Sequence, residues 1–148
     1  RKVWLADSFS GLPKSDGTKY EADKGDLHSK EEALSVSREE VENNFNAYGL
    51  LDENVEFLVG WFKDTLPKAP INKIAVLRLD GDMYESTINA LDALYHKVSQ
   101  NGYVIVDDYH AVAACKLAVH DYLDQHSLGE NVSIKEIDGT GVYWKKIS

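Results

Sequence analysis

Ala75-Val76-Leu77-Arg78-Leu79-Asp80-Gly81-Asp82 is followed further along by Tyr103-Val104-Ile105-Val106-Asp107-Asp108. Each phrase is a short apolar run that stops abruptly at carboxylates, the pattern of a buried parallel strand ending at a functional edge. One helix-length segment separates them, so the two strands are expected to be neighbours joined by a right-handed crossover, with their carboxyl ends pointing the same way. Asp80, Asp107 and Asp108 would then converge at the edge where open α/β sheets bind ligands. Crowded carboxylates repel one another unless some are protonated or a cation joins them. An all-oxygen set suits a hard ion such as magnesium, calcium or manganese.

Working outward, residues 2–6 read as a strand running into Asp7-Ser8-Phe9, and residues 55–59 as a second strand before Gly60-Trp61-Phe62. Residues 14–33 are polar and form a long loop, a length often used for lids. Ser37 and Glu40 have capping-box spacing, Val41, Phe45 and Tyr48 mark one helical face, and Gly49 supplies the stop. Residues 74–79 are the third strand. Ile88, Leu91, Leu94, Tyr95 and Val98 mark the crossover helix, and Asn101-Gly102 turns the chain into a fourth strand over residues 103–106. Val112, Cys115, Val119 and Tyr122 form the apolar stripe of the next helix. Residues 132–137 and 141–146 read as an antiparallel pair around a short turn. Alternating strands and helices with a reversed hairpin at the end predict a doubly wound α/β sheet.

The 148 residues are expected to form one domain, and no stretch is apolar enough to span a membrane. A net charge of −9 argues against nucleic acid, whose phosphates call for basic patches. The single cysteine, Cys115, excludes an internal disulfide framework and fits a reducing, cytoplasmic setting. Oligomeric state is left open, a homo-oligomer included.

The motifs resemble those of the macrocin O-methyltransferase family, which includes sugar O-methyltransferases of the novobiocin and mycinamicin pathways. The resemblance rests on Val3-Trp4-Leu5-Ala6-Asp7-Ser8-Phe9 with Gly11-Leu12-Pro13, Tyr48-Gly49-Leu50-Leu51-Asp52, and Gly60-Trp61-Phe62-Lys63-Asp64-Thr65-Leu66-Pro67. It rests also on Leu77 to Asp82 with Tyr84-Glu85-Ser86-Thr87, Val104 to Tyr109, and Gly141-Val142-Tyr143-Trp144. It implies a Rossmann-like fold binding S-adenosylmethionine, with magnesium (Mg2+) held by Asp80, Asp107 and Asp108 and Asp82 as general base. Asp7 would bind the ribose hydroxyls of the donor, while Ser8, Phe9, Trp61 and Phe62 would line its adenine side. The acceptor would be a small hydroxylated molecule, a sugar of a natural product. The family's first strand would lie upstream of Arg1, so an N-terminally truncated domain is expected, with an open slot or a direct nonstandard pairing between the first and third strands read here.

Bland readings stand beside these. The acids could be solvated strand ends or helix caps. Asp82 could simply cap the following helix. Arg78 lies two residues before Asp80, on the same strand face, and reads as an ion-pair partner rather than a catalytic group. His110 follows the acid pair and is a weak candidate for approach to the acceptor, and Cys115 reads as a core thiol. The alternative function is a non-catalytic fragment or a cation-binding α/β interaction domain. A response-regulator-like acid pocket would want a lysine that Val106-Asp107-Asp108 does not offer.

Overall fold

A computed structural model describes residues 1–147. Six strands form: β1 (Val3–Asp7), β2 (Val55–Val59), β3 (Ile74–Leu79), β4 (Val98–Val106), β5 (Lys135–Glu136) and β6 (Val142–Lys145). Four α-helices accompany them: α1 (Arg38–Ala47), α2 (Phe62–Thr65), α3 (Tyr84–Leu94) and α4 (Ala113–Gln125). The strands lie in two groups. β1 and β2 pair in parallel, and a four-stranded sheet has the order β3-β4-β6-β5, with β3 and β4 parallel and the last two pairings antiparallel. Of the two expected arrangements the first is found, since β1 and β3 are not hydrogen-bonded to each other. Each keeps an unpaired edge, and Val3 and Val76 are about half exposed along these strands.

The core lies under the four-stranded sheet. Ile88, Leu91 and Leu94 of α3 and Cys115, Ala118, Val119, Tyr122 and Leu123 of α4 pack against Leu77, Leu79, Val104, Val106, Val142 and Trp144. The helical stripes fall at the spacing that puts side chains on one face. Ser37 caps α1 by accepting the Glu40 N–H at 3.2 Å. Gly49, at φ 66°, ends it in the left-handed conformation that glycine adopts without a Cβ clash.

Several local readings need correction. Tyr48 was expected on the buried face of α1, but it stands at the helix end and is 81% exposed. No side chain of α1 is fully buried. Val98 does not close α3: the chain tightens into a 3-10 turn over Tyr95–Lys97, and Val98 opens β4 opposite Ile74. Asn101 and Gly102 therefore sit inside β4, not before it. The register slips there, and Asn101 takes φ 67°. A Cβ on Gly102 would lie 2.9 Å from the carbonyl oxygens of Ala75 and Ser99, so the bulge requires glycine. β5 is only two residues long. Three short 3-10 turns, over Glu21–Asp23, His28–Lys30 and Glu32–Leu34, break up the polar loop and the residue after it.

Leu91 is completely buried and Leu50 is 60% exposed. Leu91→Ala should cost about 2–5 kcal/mol by loss of packing and a residual cavity, whereas Leu50→Ala should stay within about 0.5 kcal/mol. Urea unfolding of the two variants beside the parent checks this.

Candidate active site

Parallel strands deliver their carboxyl ends to one edge, and the acids stand there. Asp80 follows β3, and Asp107 and Asp108 follow β4. One carboxylate oxygen from each lies within 4.8 Å of the others. The expected convergence is found. Arg78, two residues before Asp80, places one guanidinium nitrogen 2.9 Å from Asp80 Oδ2 and 2.9 Å from Asp107 Oδ2. It is the ion-pair partner that the alternation along β3 suggests, and it puts a positive charge between two of the acids.

Asp82 completes the group through its backbone. Its N–H donates to Asp108 Oδ2 at 3.1 Å, and its φ of 54° lies in the left-handed region that Asp and Asn enter more readily than most side chains. The preceding Gly81 is needed for space, because a Cβ there would meet the Ser86 Cβ at 3.0 Å. The Asp82 side chain is thus set by a tight strand-to-helix turn and does not cap α3 itself.

Burial pushes the Asp80, Asp82 and Asp108 carboxyls above their usual range. Arg78 partly offsets this at Asp80, His28 at Asp82, and the Asp82 N–H at Asp108. The neighbouring acids push all three the same way as burial. On the loop, His28 Nδ1 lies 2.7 Å from Asp26 Oδ2; that bond holds the imidazole above its usual value, and the charge of Asp82 adds to the effect. His28 stands in the polar loop outside every motif block, so nothing in the sequence points to it as a neighbour of Asp82.

A single cleft is lined by Asp7, Ser8, Trp61, Phe62, Asp80 and Asp82. It joins the ends of the two strand groups. The same cleft takes in Lys63, Glu85, Ser86 and Asn89, which no reading of the sequence singled out as a site. The signal available was that Lys63, Glu85 and Ser86 belong to the quoted motif blocks. Glu85 is buried and faces Lys63 Nζ at 3.5 Å. Ser8 is committed locally: its hydroxyl donates to the Gly11 carbonyl at 2.6 Å and accepts the Ser10 N–H at 3.0 Å. Phe9 is not part of the cleft lining; it packs on Phe57 with ring centroids 5.9 Å apart. Asp107 and Asp108 stand beside the cleft as partners of Arg78 and of the Asp82 N–H. His110 points to Glu136 instead, at 3.5 Å. Cys115 is buried in the core as expected, and burial pushes its thiol up to about 11.

The cluster passes a test of fit for a hard cation on donor chemistry and on span. Two oxygens bound to one magnesium at about 2.1 Å can be at most about 4.2 Å apart, and for calcium at about 2.4 Å the limit is about 4.8 Å. Three oxygens each within 4.8 Å of the others come close to that span, and a shared hard ion would draw them in further. Arg78 already shows that positive charge is accommodated between Asp80 and Asp107.

The macrocin-O-methyltransferase (TylF) family profile matches residues 1–146. The chain is 52% identical over 147 residues to the demethyldecarbamoylnovobiocin O-methyltransferase of Streptomyces niveus, covering 99% of this chain and 55% of that protein. It is 51% identical over 146 residues to the 8-demethyl-8-(2,3-dimethoxy-alpha-L-rhamnosyl)-tetracenomycin-C 4'-O-methyltransferase of Streptomyces olivaceus, covering 98% and 55%. The chain thus spans little more than half the length of these relatives. Among solved structures, the O-methyltransferase NovP superposes with a TM-score of 0.94 at 52% identity, over 100% of this chain and 61% of that one. A calicheamicin methyltransferase at 18% identity shares the fold, with a TM-score of 0.71 over 98% of this chain and 60% of that one.

Because the Asp82 carboxyl is held above its ordinary value, its contribution to folding is full below about pH 4 and is lost as pH rises through the raised value. Asp82→Asn, which suits the same φ, should therefore raise the melting temperature at pH 7–8 in chelator, with the gain shrinking toward pH 4. Thermal melts at the two pH values check the sign.

Proposed function

The chain belongs to the macrocin O-methyltransferase (TylF) family, and on that footing we propose that it acts as a single O-methyltransferase domain. The methyl group would pass from S-adenosylmethionine to a hydroxyl of a sugar or natural product, with magnesium at the acid cluster. The observation that carries this reading is one cleft shared by Asp7, Trp61, Phe62, Asp80 and Asp82, with Asp107 and Asp108 within ligating reach of Asp80. The relatives' names support a small hydroxylated acceptor. No helix among the described residues is long and apolar enough to cross a membrane, and a cytoplasmic setting goes with the free Cys115.

The methyl donor, when bound, supplies an already activated carbon, and the cation, when bound, lowers the pKa of the acceptor hydroxyl and fixes its orientation. The rest falls to side chains of this chain. Asp7, at the end of β1, accepts the ribose hydroxyl pair. Trp61 and Phe62 flank the adenine side, while Phe9 packs on Phe57 outside the cleft lining. Asp80, Asp107 and Asp108 would hold the cation, and Arg78, paired with Asp80 and Asp107, keeps two of these acids neutralised. Asp82, on its fixed turn, takes the proton from the acceptor hydroxyl; its raised pKa makes it a stronger base than an ordinary carboxylate. Leu34, directly after the polar loop, lines the cleft and would help keep water from the reacting groups.

In the whole protein, Asp82→Asn should lower turnover by about 10²–10⁴-fold while donor affinity stays within about twofold, since only the transition state feels proton transfer. Asp107→Asn should weaken magnesium affinity by roughly tenfold or more. Titration calorimetry with S-adenosylmethionine, with and without magnesium, together with initial rates, checks both. Full turnover in the Asp82 variant would remove that residue from the mechanism.

A further inference from the structure

Asp23 lies in the polar loop, 61 residues before the helix it touches, and is only 1% exposed. Its two carboxylate oxygens accept the backbone N–H groups of Tyr84 at 2.7 Å and Glu85 at 2.9 Å. These are the first two residues of α3, whose N-cap position is held by Met83, a side chain with no oxygen to offer. A helix start leaves unpaired N–H groups and a positive dipole end, and both favour a carboxylate there. No lysine, arginine or histidine lies within 4 Å of the Asp23 carboxylate among the described residues. The helix terminus is therefore what makes burial of this charge tolerable.

The loop is built around this contact. Asp23 closes a 3-10 turn over Glu21–Asp23, the Ser15 hydroxyl donates to its carbonyl oxygen, and Tyr20 packs on Tyr84 with centroids 5.5 Å apart. Tyr84 in turn donates its hydroxyl to Asp121 of α4 at 2.8 Å. Met83 is wholly buried, and only that one residue separates Asp82 from the two N–H groups. The turn carrying Asp80 and Asp82 is thus held at two ends, by Asp108 on the Asp82 N–H and by Asp23 on the start of α3.

We propose that Asp23 is a positioning residue for the acid cluster: from the loop it supplies the cap that α3 lacks, and so fixes at once the turn bearing Asp82 and the loop that carries Asp23 itself. Only the turnover arm of its test rests on the methyltransferase reading. In the whole protein, Asp23→Ala should speed amide exchange at Tyr84 and Glu85 by roughly five- to thirtyfold, the range expected for a lost cap. It should also speed exchange across residues 14–35 and shift the Asp82 amide resonance. Turnover should fall about tenfold or more with donor affinity within about twofold, a change that mere loss of folded protein does not produce. Asp23→Asn, which keeps one acceptor oxygen, should restore part of each effect, and it serves as the test if the alanine variant does not fold. Unchanged exchange at Tyr84 and Glu85 in the asparagine variant, or in a folded alanine variant, would overturn the proposal. Altered exchange with unaltered turnover would leave Asp23 a structural cap only and also overturn it. If the parent transfers no methyl group, the functional reading fails by itself, and the exchange pattern together with the Asp82 resonance decides the Asp23 proposal.

Discussion

Repulsion among carboxylates at the ends of β3 and β4 is the constraint around which the site is arranged. Three acids with oxygens within 4.8 Å of one another do not stay together by attraction. They are held by covalent attachment to paired parallel strands and by neutralising contacts: the Arg78 guanidinium on Asp80 and Asp107, and the Asp82 N–H on Asp108. Water screens what remains, because Asp80 and Asp107 are about half exposed. Burial, with the neighbouring acids adding to it, holds the Asp80 and Asp108 carboxyls above their usual range. The sheet keeps these acids in place even though isolated electrostatics would disperse them.

The strand-to-helix turn that follows β3 turns this charge arrangement into a defined geometry. Gly81 lets the backbone pass close to Ser86, Asp82 accepts a left-handed φ, and Met83 is driven into the core. None of these residues can cap α3 from its own position. The cap comes from Asp23, so a loop far away in the chain and the turn at the acids form one hydrogen-bonded unit. The polar loop, expected as a long lid, gives no residue of 14–33 to the cleft lining and is instead anchored at its middle on the start of α3.

The two strand groups meet at this same edge. β1 and β2 contribute Asp7 and the Trp61-Phe62 segment, β3 contributes Asp80, and one cleft gathers them although β1 and β3 do not pair. β1 and β3 each keep an unpaired edge, with Val3 and Val76 half exposed, and the chain covers 55% of the length of each of two relatives. The superposition on NovP covers the whole chain and 61% of NovP.

Much of this was legible in the sequence because its physics is local. Apolar runs locate β2 and β3 to the residue, capping spacing places α1, and the motif blocks identify the family. Right-handed crossover and parallel pairing then bring Asp80, Asp107 and Asp108 to one edge with no further information. Local pattern fails where a residue's surroundings come from distant segments. Tyr48 keeps helical spacing yet finds nothing to cover it, and Phe9 sits in the right motif but turns onto Phe57. Val98 has the right period for α3 but joins β4, since pairing with β3 outweighs one more helical turn. Asp23 looks like any solvated loop acid, and only the folded chain places it against two N–H groups 61 and 62 residues away. The sequence by itself determined the elements, their order and the acids at their ends. The tertiary structure decided which of those acids share a cleft and which loop residue holds the turn beneath them, because burial and hydrogen-bond partnership belong to contacts between segments that no single window of sequence contains.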